Sequence, residues 1–167
     1  MDLRIVKTKK NINEAFLQLR SKNALEKIRV TELCDLAIIN KTTFYKHYQD
    51  IYALSEEIEN ETLASIINDF EDLGKLFSSP QYFIKGLINA FHSHEKIILI
   101  LFSDRMNVLV EKVEKQLKAF YLSKNNTPEE DIIISFLIGG ATHVLLKPKY
   151  DEIIVINTLS NILSSIK

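Results

Sequence analysis

Glycine and proline are scarce in this chain and come late. Its 167 residues hold only Gly74, Gly86, Gly139 and Gly140, and only Pro80, Pro128 and Pro148, so nothing before position 74 breaks a helix by backbone chemistry. No glycine-rich phosphate loop, dinucleotide fingerprint or nucleophile elbow can be written from these positions. A hairpin-rich β fold needs many more turn residues. What remains is a series of long periodic segments with few breakers, so the expected fold class is all-α.

The apolar periodicity places the helices. Ile12, Ala15, Phe16 and Leu19 form one stripe on a helix from about Leu3 to Ser21. A short helix near Val30 to Leu36 turns Leu33, Leu36 and Ala37 inward, and a third runs from Lys41 to Tyr48 behind Asn40. The Asn40 side-chain oxygen suits an N-cap that accepts the backbone N–H of Thr42 or Thr43. Only about three residues separate these two helices, so they must cross steeply, as in a helix-turn-helix. Asp50 caps a long fourth helix expected to reach Leu73 and end at Gly74. Further helices are expected from Pro80 to Phe91, Ile97 to Phe102 and Asn107 to Ser123. Thr127-Pro128-Glu129-Glu130 reads as a capped start for a helix to Lys147. Pro148 separates it from a last helix over Asp151 to Ile166.

Charge is unevenly shared. The formal net charge is −1, yet residues 1–54 carry ten Lys/Arg against six acids, or +4, and the remainder carries −5. A basic third on an acidic remainder fits a module that meets a polyanion, although scattered surface charge gives the same arithmetic. The single Cys34 excludes a disulfide framework and a multi-cysteine zinc site, and is compatible with a reducing cytoplasm. The longest charge-free run, Ile132 to Leu146, covers 15 residues, short of the roughly 18 to 20 that span a bilayer. Met1-Asp2-Leu3-Arg4 leads into charged sequence rather than a signal peptide's apolar core. A cytoplasmic protein without membrane insertion is expected.

The segment Lys41-Thr42-Thr43-Phe44-Tyr45-Lys46-His47-Tyr48 carries the chemistry. Phe44 and Tyr48, four apart, face inward. The remaining side chains are a row of donors with no acid among them, suited to phosphate oxygens and major-groove base edges. The helix N-terminus adds partial positive charge. A plain polar surface helix would show the same face.

Residues 12–54 resemble the N-terminal domain of the TetR family of bacterial transcriptional regulators. The likeness runs from Ile12-Asn13-Glu14-Ala15-Phe16 through Lys27-Ile28-Arg29-Val30-Thr31-Glu32-Leu33-Cys34-Asp35-Leu36-Ala37 to Thr43-Phe44-Tyr45-Lys46-His47-Tyr48-Gln49-Asp50, about a quarter of the chain. It implies a helix-turn-helix DNA-binding domain over 1–49 and a helical regulatory and dimerisation domain over 50–167. It also implies a homodimer on double-stranded DNA at a pseudo-palindromic operator, acting as a repressor released by a small effector. Base-edge contacts are implied for Lys41, Thr42 and Thr31, and phosphate contacts for Thr43, Tyr45, Lys46 and His47. Three departures stand out. Ile38 occupies a turn position usually held by Gly, and a β-branched residue resists φ > 0, so a reshaped turn is expected. Arg29 replaces a common capping Thr, at a local cost of about 1 kcal/mol, while offering a phosphate contact. Ile51 stands where a phosphate-binding Lys is common, which implies a weaker grip by the fourth helix.

The rest of the chain offers an aromatic-rich lining for a mostly apolar effector pocket. Its candidates are Phe91, Phe102, Phe120, Tyr121 and Phe136, with His94 and His143 as polar groups. Core filling is the plain alternative for each aromatic. Gly139-Gly140 in a helix apolar nearly all round is read as a site of close approach by a second subunit, with Phe136, Val144, Ile156 and Leu159; a kink or an intramolecular contact is the alternative. His92 and His94 point about 200° apart on a helix and cannot chelate together, so no metal and no cofactor is expected. Nothing orders a Ser/His/Asp set for catalysis, so no enzyme is expected. A helical protein-interaction adaptor, and an effector-dependent activator without induction of the usual kind, are the competing functional readings.

Overall fold

The computed structural model describes residues 3–70, 73–121, 127–145 and 149–165. Among them are eight α-helices and no strand: α1 (Leu3–Arg20), α2 (Val30–Ala37), α3 (Lys41–His47), α4 (Ile51–Asn68), α5 (Pro80–Phe102), α6 (Met106–Tyr121), α7 (Pro128–Leu145) and α8 (Glu152–Ser165). The all-α expectation holds. Short 3-10 turns at Leu25–Lys27 and Leu73–Lys75 complete the order. The expected helix ends at Ser123, Lys147 and Ile166, and the break at Pro148, lie outside the described residues.

Capping proceeds as the sequence reads. Asn40 Oδ1 accepts the Thr43 N–H at 2.7 Å, and Asp50 Oδ1 accepts the Ala53 N–H at 2.8 Å. Thr127 Oγ1 accepts the Glu130 N–H at 3.3 Å. Asp151, expected inside the last helix, is instead its cap, its Oδ1 accepting the Ile153 N–H at 2.9 Å.

Three helix expectations are corrected. α4 ends at Asn68, and Gly74 lies in a separate 3-10 turn, because the chain turns to bury Phe70 against Phe83, ring centroids 5.2 Å apart. The segments expected at 80–91 and 97–102 are one helix of 23 residues. Its polar stretch His92–Lys96 contains no Gly or Pro, and solvated polar side chains do not end a helix. Leu36, expected inward, is exposed, whereas Leu33, Cys34 and Ala37 are buried. At 100° per residue those three share one face of α2, and Leu36 falls about 100° away from it.

By packing, the chain divides into two compact units. The first comprises Met1–Thr62 and Lys96–Asp104, the second Leu63–Glu95 and Arg105–Lys167, so α4 and α5 contribute to both. In the first unit α2 packs on α1 and α3 on α2, with Ile12, Phe16, Leu33, Phe44, Leu54 and Leu101 wholly buried. The second unit is cored by Phe70, Leu76, Phe83, Ile84, Ile88, Leu117, Ile134, Leu137, Ile138 and Leu163. No described helix is long and apolar enough to cross a membrane.

Candidate nucleic-acid interface

The α2–α3 turn is the best-defined piece of the site. Ile38 adopts φ 57°, ψ 48°, the left-handed conformation, and is the one non-glycine residue with positive φ among the described residues. Its N–H donates to the Asp35 carbonyl at 3.3 Å, and the Ile39 N–H donates to the Cys34 carbonyl at 3.0 Å. That bond pair is the Schellman motif, which glycine normally closes. The expected reshaped turn is therefore wrong. The two hydrogen bonds and the burial of Cys34 and Ala37 hold the geometry, and Ile38 accepts the strain.

α3 then presents its donors. Lys41, Thr42, Tyr45 and Lys46 are exposed, while Thr43 and His47 are half-buried. The Thr43 hydroxyl already donates to Asn40 Oδ1 at 2.9 Å, leaving its lone pairs but not its proton for a ligand. Phe44 and Tyr48 are buried, their centroids 5.8 Å apart, and hold the helix to the core. Arg29 sits at the N-cap position of α2 and makes no side-chain capping bond there. Exposed Arg29 and Thr31 line one groove of about 720 Å³ with Lys22, Asn23, Glu32 and Asp35. Ile51 is buried and serves the core of the first unit.

Two polar clasps were invisible in the sequence. The Lys9 ammonium and the Tyr48 hydroxyl both donate to Glu57 Oε1, each at 2.9 Å, and Lys9 Nζ lies 5.5 Å from the Tyr48 ring centroid. Burial pushes the Glu57 carboxyl up, but the hydrogen bonds from Lys9 and Tyr48 outweigh it and hold the group below its usual range. The Tyr48 phenol is pushed up, by burial first and then by Glu57. The trio ties α1 and α4 to the residue that ends α3. Arg20, 4% exposed, donates to the Asn23 and Leu101 carbonyls at 3.0 Å each and pairs with Asp104. These partners lie 48 and 84 residues apart in sequence, where no local pattern connects them. Burial, then Asp35, raises the Cys34 thiol, with Lys41 opposing, so this cysteine is no reactive nucleophile.

The seven pocket candidates do not converge. Phe102 is wholly buried in the first unit, Phe120 and Phe136 are exposed on the second, and His143 is exposed. Phe91 and Tyr121 are half-buried, and the Tyr121 hydroxyl oxygen accepts the Leu76 N–H at 3.1 Å. His94 alone lines a described cleft, about 190 Å³, with Asp69, Phe70, Asn89, Ala90 and Ser93. Its Nδ1 lies 3.0 Å from the Ala90 carbonyl, which can only accept, and its Nε2 lies 3.6 Å from Asp69 Oδ2. His92 instead approaches Glu152 at 4.0 Å, so the two histidines have separate partners.

Gly139 and Gly140 lie inside an unbroken α7, and a Cβ built on either meets nothing within 4 Å. The chain's own packing therefore does not require glycine at these positions. Ile132, Phe136, Gly140 and His143 form an exposed stripe at helical spacing opposite the buried Ile134, Leu137, Ile138 and Ala141. Val144, Ile156 and Leu159 are half-buried.

No family model matches the chain, and no curated protein matches it. Among solved structures, it is similar to a transcriptional regulator (TerR/AcrR family) from Aquifex aeolicus VF5, with a TM-score of 0.61 and 22% identity over 96% of this chain and 99% of that one. The chain shares the all-α fold of that regulator. A second structure with this likeness is the dihydroxyacetone kinase operon activator DhaS, with a TM-score of 0.50 and 19% identity over 95% of this chain and 91% of that one. Likeness over nearly the full length extends the fold well beyond residues 12–54, where the sequence resemblance lay.

Proposed function

We propose that this protein is a non-enzymatic transcriptional regulator of the TetR/AcrR kind that binds double-stranded DNA through α3. The observation that carries the reading is the exposed donor face of α3: Lys41, Thr42, Tyr45 and Lys46 on a side-chain-capped helix, with Phe44 and Tyr48 buried behind them. Lys41, Thr42 and Thr31 read base edges, while Arg29, Tyr45, Lys46 and His47 grip phosphates, joined by Thr43 once its hydroxyl turns from Asn40. Residues 1–49 act as the reader and 50–167 as the regulatory and dimerising part. A homodimer through the exposed stripe of α7 and through α8 presents two readers to a pseudo-palindromic site. A small effector bound in the second unit weakens DNA binding, and the His94 cleft supports this with the buried Phe70 and four polar side chains, Asp69, Asn89, Ser93 and His94. Repression in a bacterial cytoplasm is the principal mode. An activator is the second reading, favoured by the operon activator among the structural neighbours.

Selection of duplexes from a random library by the full-length protein, followed by titration at several salt concentrations, tests this. Binding should be sequence-selective and fall steeply with salt. Failure to bind any duplex sinks the regulator reading, and the adaptor reading then takes its place. Transcription from a promoter carrying the selected site separates repression from activation.

A further inference from the structure

Ile38 is anomalous in two independent respects. It holds a backbone conformation that disfavours a β-branched side chain, and at 89% it is the most exposed large apolar residue among those described. The free chain recovers nothing for either feature, because the side chain packs on almost no part of it. Asn, Asp or Gly would close the same turn with less strain and better solvation.

Position indicates what the side chain is for. Ile38 precedes Lys41, the first residue of α3, by three residues, and three residues of chain span at most about 11 Å. A side chain in the turn is therefore held close to whatever Lys41 and Thr42 touch. The surroundings carry exposed Lys41 and Lys46, and residues 1–54 are +4, so the complementary surface is a polyanion rather than an apolar protein face. In the major groove the one exposed apolar group is the thymine C5-methyl. We propose that Ile38 determines sequence preference by packing on a thymine methyl beside the base pairs read by Lys41 and Thr42. The inference rests on the DNA-binding reading above and adds a residue to it. A polar αL residue at 38 could not make this contact.

The test uses duplexes selected by the full-length protein, with each thymine replaced singly by uracil, which removes only the methyl. Wild type should lose about four-fold in affinity at one thymine, or at a symmetry-related pair, the value expected for one methyl taken from an apolar contact. Ile38→Asn and Ile38→Gly should bind the thymine and uracil duplexes alike, and their own selected consensus should relax at that position only. Ile38→Val should keep the preference. Melting at or above the wild-type temperature shows that both αL-compatible variants are folded. Equal wild-type binding to every uracil duplex overturns the inference and leaves DNA binding standing, as does a thymine preference that persists in Ile38→Asn. A uniform loss of affinity by Ile38→Asn on all duplexes likewise overturns it, assigning the residue to the sugar-phosphate backbone. If wild type selects no DNA, both readings fall.

Discussion

Ile38→Gly should stabilise the free protein, an unusual outcome for removing a large aliphatic side chain. Three effects compete. Releasing an L-residue from the left-handed region returns about 1 to 2 kcal/mol, with a β-branched residue toward the upper end. Glycine's greater freedom in the unfolded chain takes back about 0.4 to 1 kcal/mol. Lost burial is minor: full burial of an isoleucine is worth about 1.5 to 3 kcal/mol, and only about a tenth of this side chain is covered. The net is a gain of about 0.5 kcal/mol, which moves the melting temperature by only about 1 to 2 °C in a chain this long. Urea titration followed by far-UV circular dichroism, at a constant slope, resolves it better. Ile38→Ala is the control, since its Cβ retains most of the clash and it should gain less than glycine. A loss of more than about 0.5 kcal/mol in Ile38→Gly would show that the left-handed residue is not strained and would refute the reasoning.

Four further outcomes follow from the same geometry. The triple variant Lys41→Ala, Tyr45→Ala, Lys46→Ala should abolish selective binding and flatten the salt slope, measured by fluorescence anisotropy; wild-type-like binding sinks the α3 assignment. Gly140→Ala should stabilise the helix by up to about 1 kcal/mol, because its Cβ meets nothing, while Gly140→Leu should weaken any dimer seen in sedimentation; an unchanged dimer removes α7 from the interface. Arg20→Ala should cost about 3 kcal/mol in chemical denaturation, since it leaves the Asn23 and Leu101 carbonyls without their donor; a cost under about 1 kcal/mol contradicts the clasp. Glu57, whose folded pKa is lowered, contributes stability that is present above its ordinary pKa and is lost as pH falls through the folded value. Glu57→Gln should therefore lower stability at neutral pH by about 1 kcal/mol and converge with wild type in strong acid; a constant gap across that range refutes the assignment.

The sequence by itself determined the class of fold and the chemistry of α3. Scarce breakers and 3.6-residue apolar periodicity are local, and so are the caps at Asn40, Asp50 and Thr127, whose partners lie three residues away. The inward pair Phe44 and Tyr48 and the outward donors of α3 follow from helical geometry alone. What depended on the distant chain was decided only by the tertiary structure. The end of α4 was set by burial of Phe70 against Phe83 rather than by Gly74. The aromatics of the second half shared a composition but not a place, because alternate faces of α6 and α7 send Phe120 and Phe136 outward. The clasps of Lys9, Tyr48 and Glu57 and of Arg20 and Asp104 join residues that no sequence spacing relates. Ile38 shows the boundary most clearly. Local sterics argue against a left-handed isoleucine, and the packing of α2 against α1 and α3, with two hydrogen bonds closing the turn between α2 and α3, holds it there.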